Sequence, residues 1–232
     1  MKKIGIIGAM ELEVSALKKE MTTDRVVTKA GMDFYEGTLN GCKVVVVMCG
    51  IGKVSAGMCV QILVDLFDVT HVINTGVAGS LNAKLDIGDI VVSNEAIQHD
   101  FDVTGLNYKK GQIPGIDVLA FPADKDMTQK AFEACEKVNP DIHCIKGRVV
   151  SGDQFISSKE VKERLIKEFA GDCAEMEGAA IAQAAYLNKT PYVVIRAISD
   201  KADDSAEMDY PSFEKKAAAH CAKLVIEFVG NF

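Results

Sequence analysis

The sequence predicts an α/β fold, with a largely parallel or mixed sheet between layers of helices. Two observations point to it. Short β-rich runs alternate with segments of helical period along the whole chain, and several of those runs are continuously apolar, as strands covered on both faces are. The 232 residues are 48% hydrophobic, enough to bury a substantial core in one domain spanning 1–232. Five prolines and no low-complexity run leave no candidate linker.

Each element follows from its own pattern. KIGIIG (3–8) is a first strand, and a helix over about 12–21 follows it, opening with Glu11 and Glu13. KVVVVM (43–48) is a second strand leading into a helix over 53–67. HVINTG (71–76) and DIVVS (89–93) are the third and fourth strands, and a helix over 124–138 separates them from GRVVS (147–151). Helices over 158–169 and 175–188 come next, the second alanine-dense and suited to close packing against its neighbours. YVVIR (192–196) is the last strand. The final helix, 211–229, places Phe213, Ala217, Cys221, Leu224, Val225 and Phe228 on one stripe.

Composition excludes several functions. A net charge of −7 and only short basic clusters, such as Lys109-Lys110, argue against a nucleic-acid partner. Seven cysteines, odd in number and without CxxC spacing, read as reduced core thiols. The four histidines lack HxxxH or HExxH spacing, so no metal site is expected. The apolar stretch after Met1 is cut short by Glu11 and Glu13, which speaks against a signal peptide or membrane span and for a cytoplasmic protein without a membrane partner.

In α/β sheets, ligands bind beyond the carboxyl ends of strands. Four polar clusters are expected there: GAMELE after the first strand, TGVAGS after the third, SGDQFIS after 147–151 and AISD after the last. GIIGAME and GIGKVSAG fail both the dinucleotide and the triphosphate glycine patterns, so tight strand-to-helix turns account for their glycines.

Glu11 and Glu13 lie in a first helical turn, where acids complement the helix dipole, and Glu13 is the better placed to face the crevice. Glu175 and Glu177 are two residues apart, about 200° of rotation on a helix, so regular helix cannot aim both at one spot. Arg196, at the end of an apolar run, is expensive to bury unless a carboxylate or a ligand oxygen pairs with it. The same run delivers Ser199 and Asp200. Phe155, in a polar loop, is either core or a stacking platform for a planar base.

Taken in order, IGIIGAMELEV, GIGKVSAG, INTGVAGSL, DIVVSNEAIQHDFDVT, VSGDQFI, AEMEGAAIA and VIRAISDKAD span nearly the whole chain. Together they resemble the 5′-methylthioadenosine/S-adenosylhomocysteine nucleosidases, within the purine and uridine phosphorylase superfamily. The resemblance implies a nucleoside phosphorylase-like, three-layer αβα sandwich around a twisted mixed sheet, and a homodimer with the active site near the interface. It implies hydrolysis of the N-glycosidic bond, with a small nucleoside and water as substrates, no cofactor, and adenine and a 5-substituted ribose as products. 5′-Deoxyadenosine is a further expected substrate.

By that resemblance, Asp200 is the acid at adenine N7, with Ser199 positioning it, and Glu13 is the base for water. Glu177 would hold the ribose hydroxyls, with Met176 on the ribose face, Arg196 near the carboxylates and Glu175 in support. Phe155 would stack on adenine and the Ile156 backbone would read its edge. Met10, Ile51 and Tyr210 match positions around the ribose and alkylthio pocket, while Val103, with Pro114, would come from the partner subunit. Two positions depart from the pattern: Val77 stands where serine is common, and Leu106 where an aromatic is common. The rivals are a purine nucleoside phosphorylase, a hydrolase of a related nucleoside such as futalosine, and a non-catalytic nucleotide-binding module. A phosphorylase needs fixed positive charge for phosphate, and the first loop carries acids instead.

Overall fold

The computed structural model describes residues 2–232. The elements run β1 (Lys3–Gly8), α1 (Glu11–Glu20), β2 (Thr22–Lys29), β3 (Met32–Leu39), β4 (Cys42–Met48), α2 (Lys53–Phe67), β5 (His71–Ser80) and β6 (Ile90–Gln98). A single 3-10 turn follows at Thr104–Leu106. Then come β7 (Phe121–Pro122), α3 (Lys125–Val138), β8 (Cys144–Ser151), α4 (Lys159–Phe169), β9 (Cys173–Glu175), α5 (Gly178–Leu187), β10 (Tyr192–Asp200) and α6 (Ala206–Gly230).

One mixed sheet runs in the order β10-β6-β8-β9-β5-β1-β4-β3-β2, and β10 also pairs with β5. Strands β5, β10, β6, β8 and β9 therefore close into a ring, from which β1, β4, β3 and β2 extend. The β1–β4, β1–β5 and β10–β5 pairs are parallel, whereas β10–β6, β5–β9, β3–β4 and β2–β3 are antiparallel.

Strand alternation sorts the apolar residues into two layers. Ile4 and Ile6 of β1, Val44 and Val46 of β4, and Val193 and Ile195 of β10 pack with Leu17 of α1, Met127 of α3 and Leu224 and Phe228 of α6. Ile7, Val45, Val47 and Val194 face the other way, against Cys59, Val60 and Leu63 of α2 and Ile181 and Ala185 of α5. A smaller cluster places Leu165 and Phe169 of α4 on Ile97 and Val150. The sheet is thus sandwiched between helix layers, as expected. Six cysteines are buried, Cys42 is partly exposed, and all seven are unpaired. Among the described residues, no helix is long and apolar enough to cross a membrane.

Four differences from the sequence expectation matter. The first is the hairpin β2–β3, which was not expected. β2 is a polar edge strand (TTDRVVTK) with almost every residue exposed, so it shows no apolar run, yet β3 buries Met32, Phe34 and Leu39 beneath it. The second is the length of β5 and β10, which run four residues past their expected ends. TGVAGS and AISD accordingly lie within strands and not in loops after them. The third is the helix expected over 175–188, which begins only at Gly178: Glu175 closes a short strand and Glu177 is the helix N-cap. The fourth is the last helix, which starts at Ala206, ahead of its internal Pro211. Phe213, near that start, is 38% exposed and drops out of the buried stripe.

Candidate active site

Strand β10 positions three of the polar side chains, Arg196, Ser199 and Asp200. It runs parallel to β5, with Arg196 beside Gly76 and Asp200 beside Gly79, and the register slips between Ile198 and Asp200. Such a bulge breaks strict alternation and re-aims side chains. Here the consecutive Ser199 and Asp200 both face one cavity of about 330 Å³. Met10, Glu13, Ile51, Val77, Phe155 and Ile156 also line it, as do Met176, Glu177, Arg196 and Tyr210, together with Glu175. The structure thus brings together every site residue expected from a single chain. Val103 and Pro114 do not line the cavity. Val103 precedes the 3-10 turn and Pro114 is exposed, as is Leu106.

Arg196 is the centre of the polar wall and is 1% exposed. Its Nη2 donates to Asn74 Oδ1 at 2.6 Å and to Glu175 Oε2, and lies 3.6 Å from Glu177 Oε2. Its Nη1 lies 3.9 Å from Glu13 Oε1 and donates to the Val77 carbonyl at 3.3 Å. Burial works against the arginine's charge, and Glu175, Glu177 and Glu13 outweigh it and push its pKa further up. Gly76 makes the approach possible, because a Cβ there would overlap both the Arg196 guanidinium and the Glu13 carboxylate.

Each carboxylate sits differently. Glu175 is saturated: it accepts from the Ser151 hydroxyl, from the Glu177 N–H at 3.0 Å and from the Gly178 N–H at 2.7 Å, besides Arg196. Glu13 reaches back from α1 so that Oε2 accepts from the Ala9 and Met10 N–H groups, at 2.7 and 3.0 Å, while Oε1 accepts from the Val77 N–H at 3.0 Å. Burial raises its pKa above 4.5, partly opposed by Arg196 and these backbone donors. Glu177 Oε1 accepts from the Gly52 N–H at 2.9 Å. Burial and the neighbouring Glu175 push its pKa up to about 7, against the pull of Arg196. Asp200 is clamped by Ser199 Oγ at 2.9 Å and by the Ala202 N–H at 2.8 Å. Burial still holds its pKa above the usual 3.8.

The remaining walls are apolar. Phe155, 49% exposed at the rim, meets Tyr210 edge-on at 5.7 Å between ring centres. The Tyr210 hydroxyl donates to Met10 Sδ at 3.3 Å.

Sequence reasoning missed Asn74 and Ser151. Asn74 receives the arginine and donates to the Ile7 carbonyl at 3.0 Å, which ties β5 to β1. Ser151 bridges Glu175 and the Ala179 N–H at 2.7 Å. Asn74, with Thr75, follows the apolar run of β5 and Ser151 ends β8 after two valines, and a polar residue set against an apolar run was the available signal, since a buried polar group needs a partner. Glu175→Ala, which strips Arg196 of its nearest charge and orphans two N–H groups, is expected to cost about 3–5 kcal/mol of stability by urea unfolding; a loss below about 1 kcal/mol would contradict the central place given to this pair.

Comparison with known proteins agrees with this architecture. The family profile of the phosphorylase superfamily matches residues 3–230. A 5′-methylthioadenosine/S-adenosylhomocysteine nucleosidase of Colwellia psychrerythraea is 40% identical, the alignment covering 99% of this chain and 96% of that one. A crystal structure of such a nucleosidase from the same organism, in complex with adenine, superposes with a TM-score of 0.95 at 40% identity, over 99% of this chain and 95% of the other. Futalosine hydrolase of Helicobacter pylori superposes with a TM-score of 0.94 at 33% identity, covering 100% and 98% of the two chains. The chain belongs to the phosphorylase superfamily and, within it, to the 5′-methylthioadenosine/S-adenosylhomocysteine nucleosidase family.

Proposed function

We propose that the protein hydrolyses the N-glycosidic bond of 5′-methylthioadenosine and S-adenosylhomocysteine, and of 5′-deoxyadenosine, to adenine and the 5-substituted ribose. One observation carries this most directly. The cavity holds buried carboxylates from separate elements, Glu13 from α1 and Asp200 from β10, and the one arginine in its lining is committed to carboxylates.

The chemistry needs two opposed carboxyl roles. Burial keeps the Asp200 proton on to higher pH, so the acid can pass it to adenine N7 as the glycosidic electron pair moves to the base. Both Oε2 acceptor sites of Glu13 are filled by backbone N–H groups and one on Oε1 is taken, which leaves one Oε1 site for a water. Water gives a proton to that oxygen as its own oxygen adds to the anomeric carbon. Glu177 accepts from the ribose hydroxyls and stabilises the positive charge developing on the sugar. A phosphate dianion would instead face Glu13 and Glu177, with Arg196 already surrounded.

Phe155 and Ile156 supply the base platform, and Met176 the ribose face. Met10, Ile51 and Tyr210 offer an apolar wall to the thioether, where each buried methylene contributes about 0.8 kcal/mol. Ile51, 60% exposed at the cavity mouth, leaves that wall unfinished in a single chain, which supports a homodimer in which Val103 and Pro114 of the partner subunit complete it. Seven unpaired cysteines support a reducing, cytoplasmic setting.

The deciding experiment assays free base from methylthioadenosine, S-adenosylhomocysteine, 5′-deoxyadenosine, futalosine and inosine in phosphate-free buffer. Adenine release from the first three is expected, and an absolute requirement for phosphate would overturn the reading in favour of a phosphorylase. Asp200→Asn and Glu13→Gln are each expected to lower kcat by about 10²–10⁴-fold in a protein that still folds, and near-normal turnover in either would reverse the assignment of roles. Glu13 and Glu177 act ionised and their pKa values are raised, so kcat/KM should fall as pH drops, on a limb between 4.5 and about 7. A profile flat down to pH 4.5 would contradict those roles.

A further inference from the structure

We propose that Lys53, Asp100 and Asp153 form a clasp that positions the adenine-facing loop against the ribose carboxylate. The inference rests on the function proposed above and adds three positioning residues to it.

Helix α2 begins without a cap of its own. Its N-cap is Gly52, at φ +100°, and no side chain from that position can satisfy the first N–H groups. Carboxylates from distant segments take them instead. The Gly52 N–H donates to Glu177 Oε1 at 2.9 Å, and the Lys53 N–H donates to Asp153 Oδ1 at 2.8 Å. One helix end thus holds the proposed ribose carboxylate and the loop that carries Phe155.

Asp100 closes the ring. Its Oδ2 accepts from the Asp153 N–H at 3.0 Å, and its Oδ1 accepts from Lys53 Nζ at 2.6 Å. Lys53 Nζ also donates to Gln98 Oε1 at 3.0 Å, and Gln98 bonds Gln183 of α5 at 2.5 Å, so the clasp is anchored to sheet and helix alike. The lysine and aspartate side chains are 19% and 18% exposed, shielded more than a surface pair and so less screened by salt. Burial opposes the Asp100 charge, yet the Lys53 and Asp153 donors outweigh it and hold the carboxyl below its usual range.

The loop needs such an anchor. Residues 152–158 have no helix or strand, although Gln154, Phe155 and Ile156 line the cavity. Among the described residues, no hydrogen bond reaches 154–157, so Asp153 is the last hydrogen-bonded residue before the aromatic platform. A loop that samples its binding-competent form less often weakens apparent affinity by that fraction, while chemistry on the bound substrate changes less.

The test measures kcat and KM with methylthioadenosine, adenine affinity by calorimetry, and Tm, in the wild type, Asp153→Ala, Asp153→Asn, Lys53→Met and the Asp153→Ala/Lys53→Met double variant. Asp153→Ala and Lys53→Met should each raise KM and the adenine Kd about tenfold while kcat changes less than about threefold. Asp153→Asn, which still accepts from the Lys53 N–H, should stay within about threefold of wild type. The double variant should be no worse than the worse single one, as expected for one shared network. A lowered Tm with KM and adenine Kd within about twofold of wild type would overturn the clasp and reduce these contacts to fold stability. Lys53→Met, which keeps the backbone bond to Asp153, decides the matter if Asp153→Ala does not fold. A wild-type chain that neither releases nor binds adenine would overturn the functional reading, and the clasp's role with it.

Discussion

The site depends on one buried cation shared among three carboxylates. Arg196 is fully enclosed, and a lone guanidinium there would be prohibitive. Glu175 takes the closest pairing and fills its remaining acceptor sites with Ser151 and backbone N–H groups. Glu13 and Glu177 stay at 3.9 and 3.6 Å, attracted but not neutralised. Burial raises the pKa of both farther acids, with Glu175 adding to the effect at Glu177, and the one shared arginine does not offset it. In the proposed reaction these two acids would meet the water, the ribose hydroxyls and a sugar that becomes positive during bond cleavage.

The sheet holds the arginine and Glu175 of this arrangement on its strands, and Glu13 and Glu177 meet them from helix starts. Closure of β5, β10, β6, β8 and β9 brings together strand ends far apart in sequence. Asn74 ties the arginine to β1 through the Ile7 carbonyl. Glycine at 76 lets two strands and two charged side chains meet where a methyl group would collide. The bulge at Ser199 supplies the last adjustment and turns the proton-donor candidate into the same cavity as the arginine. These are rigid elements, and preorganised groups cost little reorganisation when charge develops.

The same charge pattern separates hydrolysis from phosphorolysis on a shared fold. A phosphate site requires cations aimed at the anion, whereas among the described residues the one arginine lining this cavity turns its two Nη groups to Asn74, Glu175 and the Val77 carbonyl, and only its buried Nε has no partner. The acid at the start of α1 disfavours an anion still further. Val77, in place of a hydroxyl side chain, presents its N–H to Glu13, so the backbone at this position orients the carboxylate whatever the side chain.

By itself the sequence determined the αβ alternation, the two apolar layers and the candidate acids, because local period and isolated polar residues in apolar strands are properties of neighbouring residues. It also carried the Asn40-Gly41 pair, both residues at positive φ in the β3–β4 hairpin, a turn signal that points to a strand before β4. Tertiary structure alone decided that Glu175 and Glu177 leave the helix and reach one arginine from different angles, that TGVAGS and AISD are strand, and that Asp153 caps a helix a hundred residues away. Those outcomes depend on the closing of the ring and on a register slip. Both are set by contacts between segments remote in the chain, and no local pattern encodes them.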